Sequence, residues 1–279
     1  MNLSGMKQVV KFLLNNFPRG FLIRLSIALR PLFNFFLSGK KFIDPINERS
    51  YSKFFPDGYN SPRKNALSLG TLSLERHRLL WLYLKNETSF FRENNKILHV
   101  APEQCYYNFF KKHFKNYITV DLDSPLAEYK ADVCDMPFES NSFDFILCNH
   151  VLEHVYDDEL AIIELRRVLK KNGMAILQVP LNLNLKKTID GRDINDIKKR
   201  NELFGQYDHV RIYGLDFFDR LQKAGFSVER CEYTSKLSKE DIIKFCLPKK
   251  EIIPICRKWF NYKNRWNLQN QVHYLHFHR

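Results

Sequence analysis

The chain has 279 residues, enough for one large or two small domains with a buried core, and 44% hydrophobic with 27% charged residues excludes a disordered chain. Lys and Arg number 44 against 31 Asp and Glu, a net charge of +13 that leaves anionic membranes, nucleic acids and acidic small molecules open as partners. The cysteines Cys105, Cys134, Cys148, Cys231, Cys246 and Cys256 form no C-x-x-C pair, which points to reduced, small apolar side chains and a cytoplasmic chain.

Residues 1–41 are basic and apolar. Lys7, Lys11, Arg19, Arg24, Arg30, Lys40 and Lys41 all precede the first acid, Asp44. The apolar run from Phe21 to Leu37 is interrupted by Arg24, Arg30 and Pro31, whereas a bilayer span needs ~20 mainly apolar residues. No convincing cleavage site follows it. The run reads as a basic amphipathic helix, with Phe21, Leu22, Leu25, Ala28, Leu29 and Leu32 on one face. Such a helix either lies on an anionic membrane surface or packs on the following domain.

Residues 42–95 open with turn-rich sequence around Asp44-Pro45, Pro56-Asp57-Gly58 and Ser61-Pro62. A helix from Ser73 to Lys85 follows, with Leu74, Leu79, Leu80 and Trp81 on its apolar face.

Residues 96–258 alternate strand and helix. The apolar runs Lys96–Ala101, Tyr117–Leu122, Phe143–Asn149 and Met174–Pro180 read as strands, and Asp157 to Lys170 as a helix that Gly173 stops. Ile162, Leu165 and Leu169 form its buried stripe. A further helix is expected over Leu215–Lys223. This alternation predicts a doubly wound parallel sheet with helices on both faces. Residues 259–279 form a tail in which Trp259, Phe260, Tyr262, Trp266, Tyr274 and Phe277 interleave with Lys and Arg.

Doubly wound sheets bind ligands at the carboxyl ends of their strands, so the residues just after each run are the site candidates. Asp121 ends the second run, where a carboxylate can accept from two ribose hydroxyls or serve as a turn acid in Asp-Leu-Asp-Ser-Pro. Asp132, in Ala131-Asp132-Val133, can accept from an exocyclic amine while apolar neighbours sandwich a ring. Asn149-His150-Val151-Leu152-Glu153-His154 follows the third strand, and Asp208, His209 and Arg211 make a polar cluster in an apolar region. His209 is either a general base or a structural hydrogen bonder.

ADVCDMPFESNSFDFILCNHVLEHV, followed by ELRRVLKKNGMAILQVP, resembles the small-molecule branch of class I S-adenosylmethionine-dependent methyltransferases. The resemblance covers roughly Lys96 to Lys258. It implies a seven-stranded Rossmann-like sheet with its last strand antiparallel, behind an N-terminal helical and irregular extension. It also implies S-adenosylmethionine as cofactor. By position it places His99, Ala101 and Glu103 in the first cofactor loop, with Glu103 toward the methionine amino group. Asp121 with Leu122 falls at the ribose, Asp132 with Val133 at the adenine, and Asn149 with His150 at the methionine end. His150 and His209 are then the candidate catalytic bases, needed when the acceptor is a hydroxyl. His154 orients the loop.

The chain departs from the family in its first loop, where His99-Val100-Ala101-Pro102-Glu103 holds no glycine. LHVAPE resembles a narrower bacterial group, often linked to surface-polysaccharide gene sets, in which this loop replaces the glycines. Relatives of that group carry two C-x-x-C pairs ahead of a helix like SLERHRLLWLYL. Here those positions are Asp44, Asn47, Ser68 and Thr71, which offer no thiolate, so no zinc is expected there.

The resemblance implies a cytoplasmic enzyme, peripheral to the inner membrane, that methylates a small-molecule or lipid-linked glycan acceptor. A nucleic-acid methyltransferase is the alternative that the charge and the aromatic tail suggest, although no RNA-binding module is added. A non-catalytic scaffold is the alternative that the missing glycines and cysteines suggest.

Overall fold

The computed structural model describes residues 16–58, 62–194 and 196–258. The expectations for Lys7 and Lys11, for the side chain of Arg19 and for the aromatic tail fall outside the described residues.

Helix α1, Arg19–Phe36, carries Pro31 within it. Four short strands follow: β1 Ser38–Asp44, β2 Arg49–Tyr51, β3 Phe55–Asp57 and β4 Arg63–Leu67. They pair as two antiparallel ribbons, β1 with β2 and β3 with β4. Helix α2, Glu75–Glu87, leads into the domain and is buried from His77 through Leu84.

The domain itself contains β5 Lys96–Val100, α3 Gln104–His113, β6 Asn116–Asp121, β7 Tyr129–Lys130, β8 Phe143–Cys148, α4 Asp158–Val168 and β9 Leu169–Ile176. An insertion follows, made of β10 Ile189–Asp190, α5 Ile197–Phe204 and β11 Arg211–Ile212. Helix α6 Phe217–Lys223, β12 Ser227–Cys231, α7 Lys239–Lys244 and β13 Ile253–Arg257 complete it.

Seven strands form one sheet in the order β12-β13-β9-β8-β5-β6-β7. Strands β5 to β9 run parallel, and β13 inserts antiparallel between β12 and β9. This is the Rossmann-like methyltransferase sheet expected from the sequence, with its last strand reversed. Strand order turns at β5, whose two parallel neighbours are β6 and β8, and that switch point opens the crevice at the carboxyl edge.

Side-chain alternation divides the core between the two faces. Ile97, Phe145 and Leu147 join Leu80, Trp81, Tyr106 and Phe110 under α2 and α3. Leu98, Ile146 and Cys148 point the other way, onto Ile162 and Leu165 of α4 and Phe217 and Leu221 of α6. The short apolar runs were legible as strands because burial on both faces removes the polar half of the pattern.

One boundary differs from expectation. Helix α4 ends at Val168, and Lys170 through Gly173 already belong to β9. The left-handed residue there is Asn172, with φ 62°, rather than Gly173. A Cβ on Gly173 would meet Leu169 Cδ1 at 2.8 Å and the carbonyl oxygens of Lys170 and Asp144 at 2.9 and 3.0 Å. Gly173 is thus a close-approach glycine inside a strand, not a helix stop.

The N-terminal ribbons are held without thiolates. Asp44 is fully buried, and its Oδ2 accepts from Thr71 Oγ1 at 2.5 Å and from Ser73 Oγ at 3.0 Å. Its Oδ1 accepts from the Ile46 amide at 3.1 Å. Arg78, equally buried, donates to the carbonyls of Ala66, Ser73, Phe245 and Cys246. Two of the four positions compared with cysteines, Asp44 and Thr71, therefore meet in a hydrogen-bonded clip, while Asn47 bonds to Tyr51.

Candidate functional site

The candidate cofactor residues gather at the carboxyl edge of β5, β6 and β8. The first loop leaves β5 through Ala101, whose φ of 48° lies in the left-handed region that glycine normally fills. The alanine adopts the backbone turn a glycine would make, and its amide holds the Val120 carbonyl at 2.9 Å.

Glu103 follows at the N-cap of α3. Its Oε1 accepts from Asn149 Nδ2 at 3.0 Å, and its Oε2 sits against His99 Nε2. His99 is fully buried, with its other ring nitrogen 2.7 Å from the Tyr117 hydroxyl. Sequence reading put His99 on the cofactor; the structure puts it behind Glu103, as the residue that holds the carboxylate. Burial alone would raise the Glu103 carboxyl, but the His99 ring, His77 and the Asn149 amide outweigh it and hold the group at about 2. Asn149 Oδ1 is buried with no hydrogen-bond partner. An ionised carboxylate beside a spare amide oxygen suits a protonated amino group.

Asp121 ends β6, and its Oδ1 accepts from the amides of Asp123 and Ser124 at 2.8 and 2.7 Å, which fixes the carboxylate at the crevice. The turn reading of this residue holds, and Oδ2 of the same carboxylate takes no part in those two bonds. Leu122 beside it is 64% exposed. After β7, Asp132 accepts from the Cys134 amide at 2.9 Å, and Val133 and Met136 close by in sequence are buried.

His150 follows β8 with φ 55°, a strained conformation for a residue with a side chain. Its Nε2 is buried without a partner, and its Nδ1 lies 3.4 Å from Glu153 Oε1. His209 reaches the same region from the loop before β11; its ring and that of His154 meet edge-on with centroids 4.7 Å apart. Burial lowers the His209 pKa, with the Glu153 carboxylate opposing that shift.

Arg211, which sequence reading grouped with Asp208 and His209, is fully buried and does something different. It donates to the carbonyls of Leu152, Val155 and Tyr156, and so fastens the turn that carries Glu153 and His154. Asp158 completes this support by accepting from the Tyr213 hydroxyl at 2.8 Å and from Arg220 at 3.0 Å.

His150 and His209 share the wall of a cavity of about 870 Å³. Leu181, Phe204 and Ile252 give it apolar sides, and Arg63, Arg76, Lys249 and Lys250 give it cations, against Glu75 and Glu251. Arg76 Nε is buried there without a partner. Sequence reading missed Arg76, Lys249 and Lys250, which come from α2 and the segment before β13 and share no local pattern with the motifs.

Helix α1 lies over the first two loops. Gln104 Nε2 bonds to Ser26 Oγ at 2.5 Å, Arg30 Nη2 donates to the Gln104 carbonyl at 3.2 Å, and Gly20 approaches Pro125. Its opposite face leaves Phe21, Leu32, Phe35 and Phe36 exposed. One face of the helix thus packs on the following domain, as one of the two sequence readings expects, and the other face stays exposed. Among the described residues, no helix is long and apolar enough to cross a membrane.

Residues 103–177 match a family described as a methyltransferase domain. An uncharacterized protein of Methanocaldococcus jannaschii is 34% identical over 136 residues, which cover 45% of this chain and 57% of that protein, little over half its length. An S-adenosylmethionine-dependent methyltransferase from Mesorhizobium loti is 13% identical, with 64% of this chain and 98% of that one covered and a TM-score of 0.45. The Haemonchus contortus phosphoethanolamine N-methyltransferase 2, solved with S-adenosyl-L-methionine, is 16% identical, with 57% and 40% covered and a TM-score of 0.41. The matched residues run from the N-cap of α3 to the end of β9 and so include Glu103, Asp121 and Asn149 at the carboxyl edge of the sheet.

Proposed function

We propose that the chain transfers the methyl group of S-adenosylmethionine to a small anionic acceptor, a sugar or lipid-linked glycan intermediate, close to a membrane surface. The observation that carries this reading is the cavity beside His150, large enough for a sugar-sized molecule and edged by Arg76, Lys249 and Lys250. Cations placed there suit a phosphate or carboxylate on the acceptor. The sulfonium brings an activated methyl group, so alignment supplies most of the rate, on the order of 7–11 kcal/mol.

The chain's own residues then have defined tasks. Asp121 holds the ribose, and Asp132 with Val133 holds the adenine. Glu103 and Asn149 orient the methionine amino group. His150 and His209, both on the cavity wall, are placed to take a proton from an acceptor hydroxyl. The exposed apolar stripe on α1 lies beside exposed Arg24, Lys40 and Lys41, a combination that suits an anionic leaflet.

Calorimetry with S-adenosylhomocysteine tests the cofactor half of this reading. Transfer of labelled methyl from S-adenosylmethionine to phosphorylated and unphosphorylated sugars tests the acceptor half. Labelling that ignores the phosphate, or that survives Arg76→Gln with unchanged KM, would remove the anionic acceptor from the proposal.

A further inference from the structure

We propose that Glu153, His154 and His209 form a binding site for a divalent transition-metal ion beside the acceptor cavity, whose wall His209 lines. The ligand atoms of these three residues all lie within 4.8 Å of one another. A zinc-class ion bound at about 2.0–2.2 Å would draw such atoms to within roughly 3–4 Å of one another, a shift that side-chain rotation supplies. One carboxylate with two imidazoles is a set that first-row transition ions prefer, whereas magnesium and calcium seek oxygen alone.

A second observation points to a ligand independently of the cluster. Glu153 is 1% exposed, yet its Oε2 has no hydrogen-bond partner, and its Oε1 has only the 3.4 Å approach of His150. A buried carboxylate oxygen facing no donor is costly, and a cation relieves that cost. His209 is 7% exposed and brings no carboxylate bond of its own to the ring. His154 is oriented from outside, since its Nδ1 lies 3.3 Å from both the Asp208 carbonyl and Asp208 Oδ2. A carboxylate behind an imidazole is the arrangement that orients metal-bound histidines.

The backbone holds the two halves together. The Val210 amide donates to the Glu153 carbonyl at 2.9 Å, and Arg211 fastens the turn after β8 to the segment carrying His209. The site is therefore built into the frame and does not depend on a loose surface loop. It is distinct from the N-terminal positions at which sequence reading looked for zinc.

The catalytic role of the ion rests on the methyl-transfer reading, but its binding does not. With His209 holding the ion, His150 would be the base that takes the proton of an acceptor hydroxyl, which the ion would make more acidic. The oxygen then forms a bond to the methyl carbon while the carbon–sulfur bond breaks. The electron pair of that bond stays on sulfur, leaving neutral S-adenosylhomocysteine.

The test is equilibrium dialysis and calorimetry of chelator-treated, full-length protein with zinc chloride, and separately with manganese chloride. One ion per chain is expected, with affinity reduced at least tenfold in His209→Ala and Glu153→Gln. Because the buried Glu153→Gln variant can fail to fold, the partly exposed His154→Gln serves as the second carboxylate-independent probe. Retained binding of S-adenosylhomocysteine shows that each variant is folded. No ion bound by wild type, or binding unchanged in folded His209→Ala and His154→Gln, overturns the site. Zinc binding as expected without methyl transfer to any sugar would retain the site and refute the acceptor reading alone.

Discussion

Glu103 and Asn149, 46 residues apart, join the loops after β5 and β8 through a 3.0 Å hydrogen bond from the Asn149 amide to Glu103 Oε1. The bond spans the switch point between β5 and β8, so the proposed methionine end of the site is organised before any cofactor arrives. Preorganisation of this kind lowers the ordering cost of binding.

That carboxylate gives the chain a defined acid response. The folded Glu103 holds its proton less tightly than the unfolded chain, with about 2 against an ordinary 4.5. Its contribution to stability is therefore present above pH 4.5 and lost as pH falls toward 2. Glu103→Gln should flatten the stability-versus-pH curve across that window, as read by urea unfolding at successive pH values. A variant with the same acid slope as wild type would show that the group is unperturbed.

Asp121→Ala removes the ribose acceptor and the anchor of the Asp123 and Ser124 amides. Hydrogen bonds to a charged group contribute ~1.5–3 kcal/mol, so S-adenosylhomocysteine should bind on the order of ten- to hundredfold more weakly. Calorimetry that finds equal affinity for the variant and wild type would mean that the crevice has been assigned wrongly.

Ala101 tests whether the first loop replaces a glycine. A left-handed alanine costs roughly 1–2 kcal/mol, while glycine in its place adds ~0.4–1 kcal/mol of unfolded-state entropy. Ala101→Gly should therefore leave the melting temperature unchanged or raise it slightly, whereas a β-branched Ala101→Val should lower it by several degrees. Thermal melts of the two variants decide the matter, and equal losses in both would contradict the positive φ.

The outer stripe of α1 has its own readout. Phe35 and Phe36 are 77% and 70% exposed, and replacing both with serine removes apolar area without touching the Gln104 contacts. Co-sedimentation with phosphatidylserine-containing vesicles should fall roughly tenfold for the double variant, given ~25 cal/mol per Å² of apolar area. Binding by wild type should weaken in high salt. Equal pelleting of variant and wild type would count against surface anchoring.

What the sequence revealed and what it concealed divide along physical lines. The strands of the sheet were legible because burial on both faces gives unbroken apolar runs, and the turn at Asp121 was legible because it closes one of them, whereas Asp132 follows the short, exposed β7. The contacts of His99 were not, because only the fold shows its ring buried between Glu103 and the Tyr117 hydroxyl. Glu153 and His209 lie 56 residues apart and meet only where β11 returns beside the turn after β8, so no local spacing announces them. Gly173 was misread because a glycine after an amphipathic helix has the same local appearance whether it ends the helix or permits close approach inside a strand.

The clip of Asp44, Thr71 and Ser73 has a consequence for how this chain tolerates its surroundings. A thiolate cage can be emptied by a chelator, capped by an alkylating agent or converted by peroxide, and each of those events releases the segment it holds. A carboxylate bonded to two hydroxyls offers none of these reagents a target. The N-terminal ribbons should stay folded through oxidative stress and zinc starvation alike, conditions that would dismantle a four-cysteine version of the same frame.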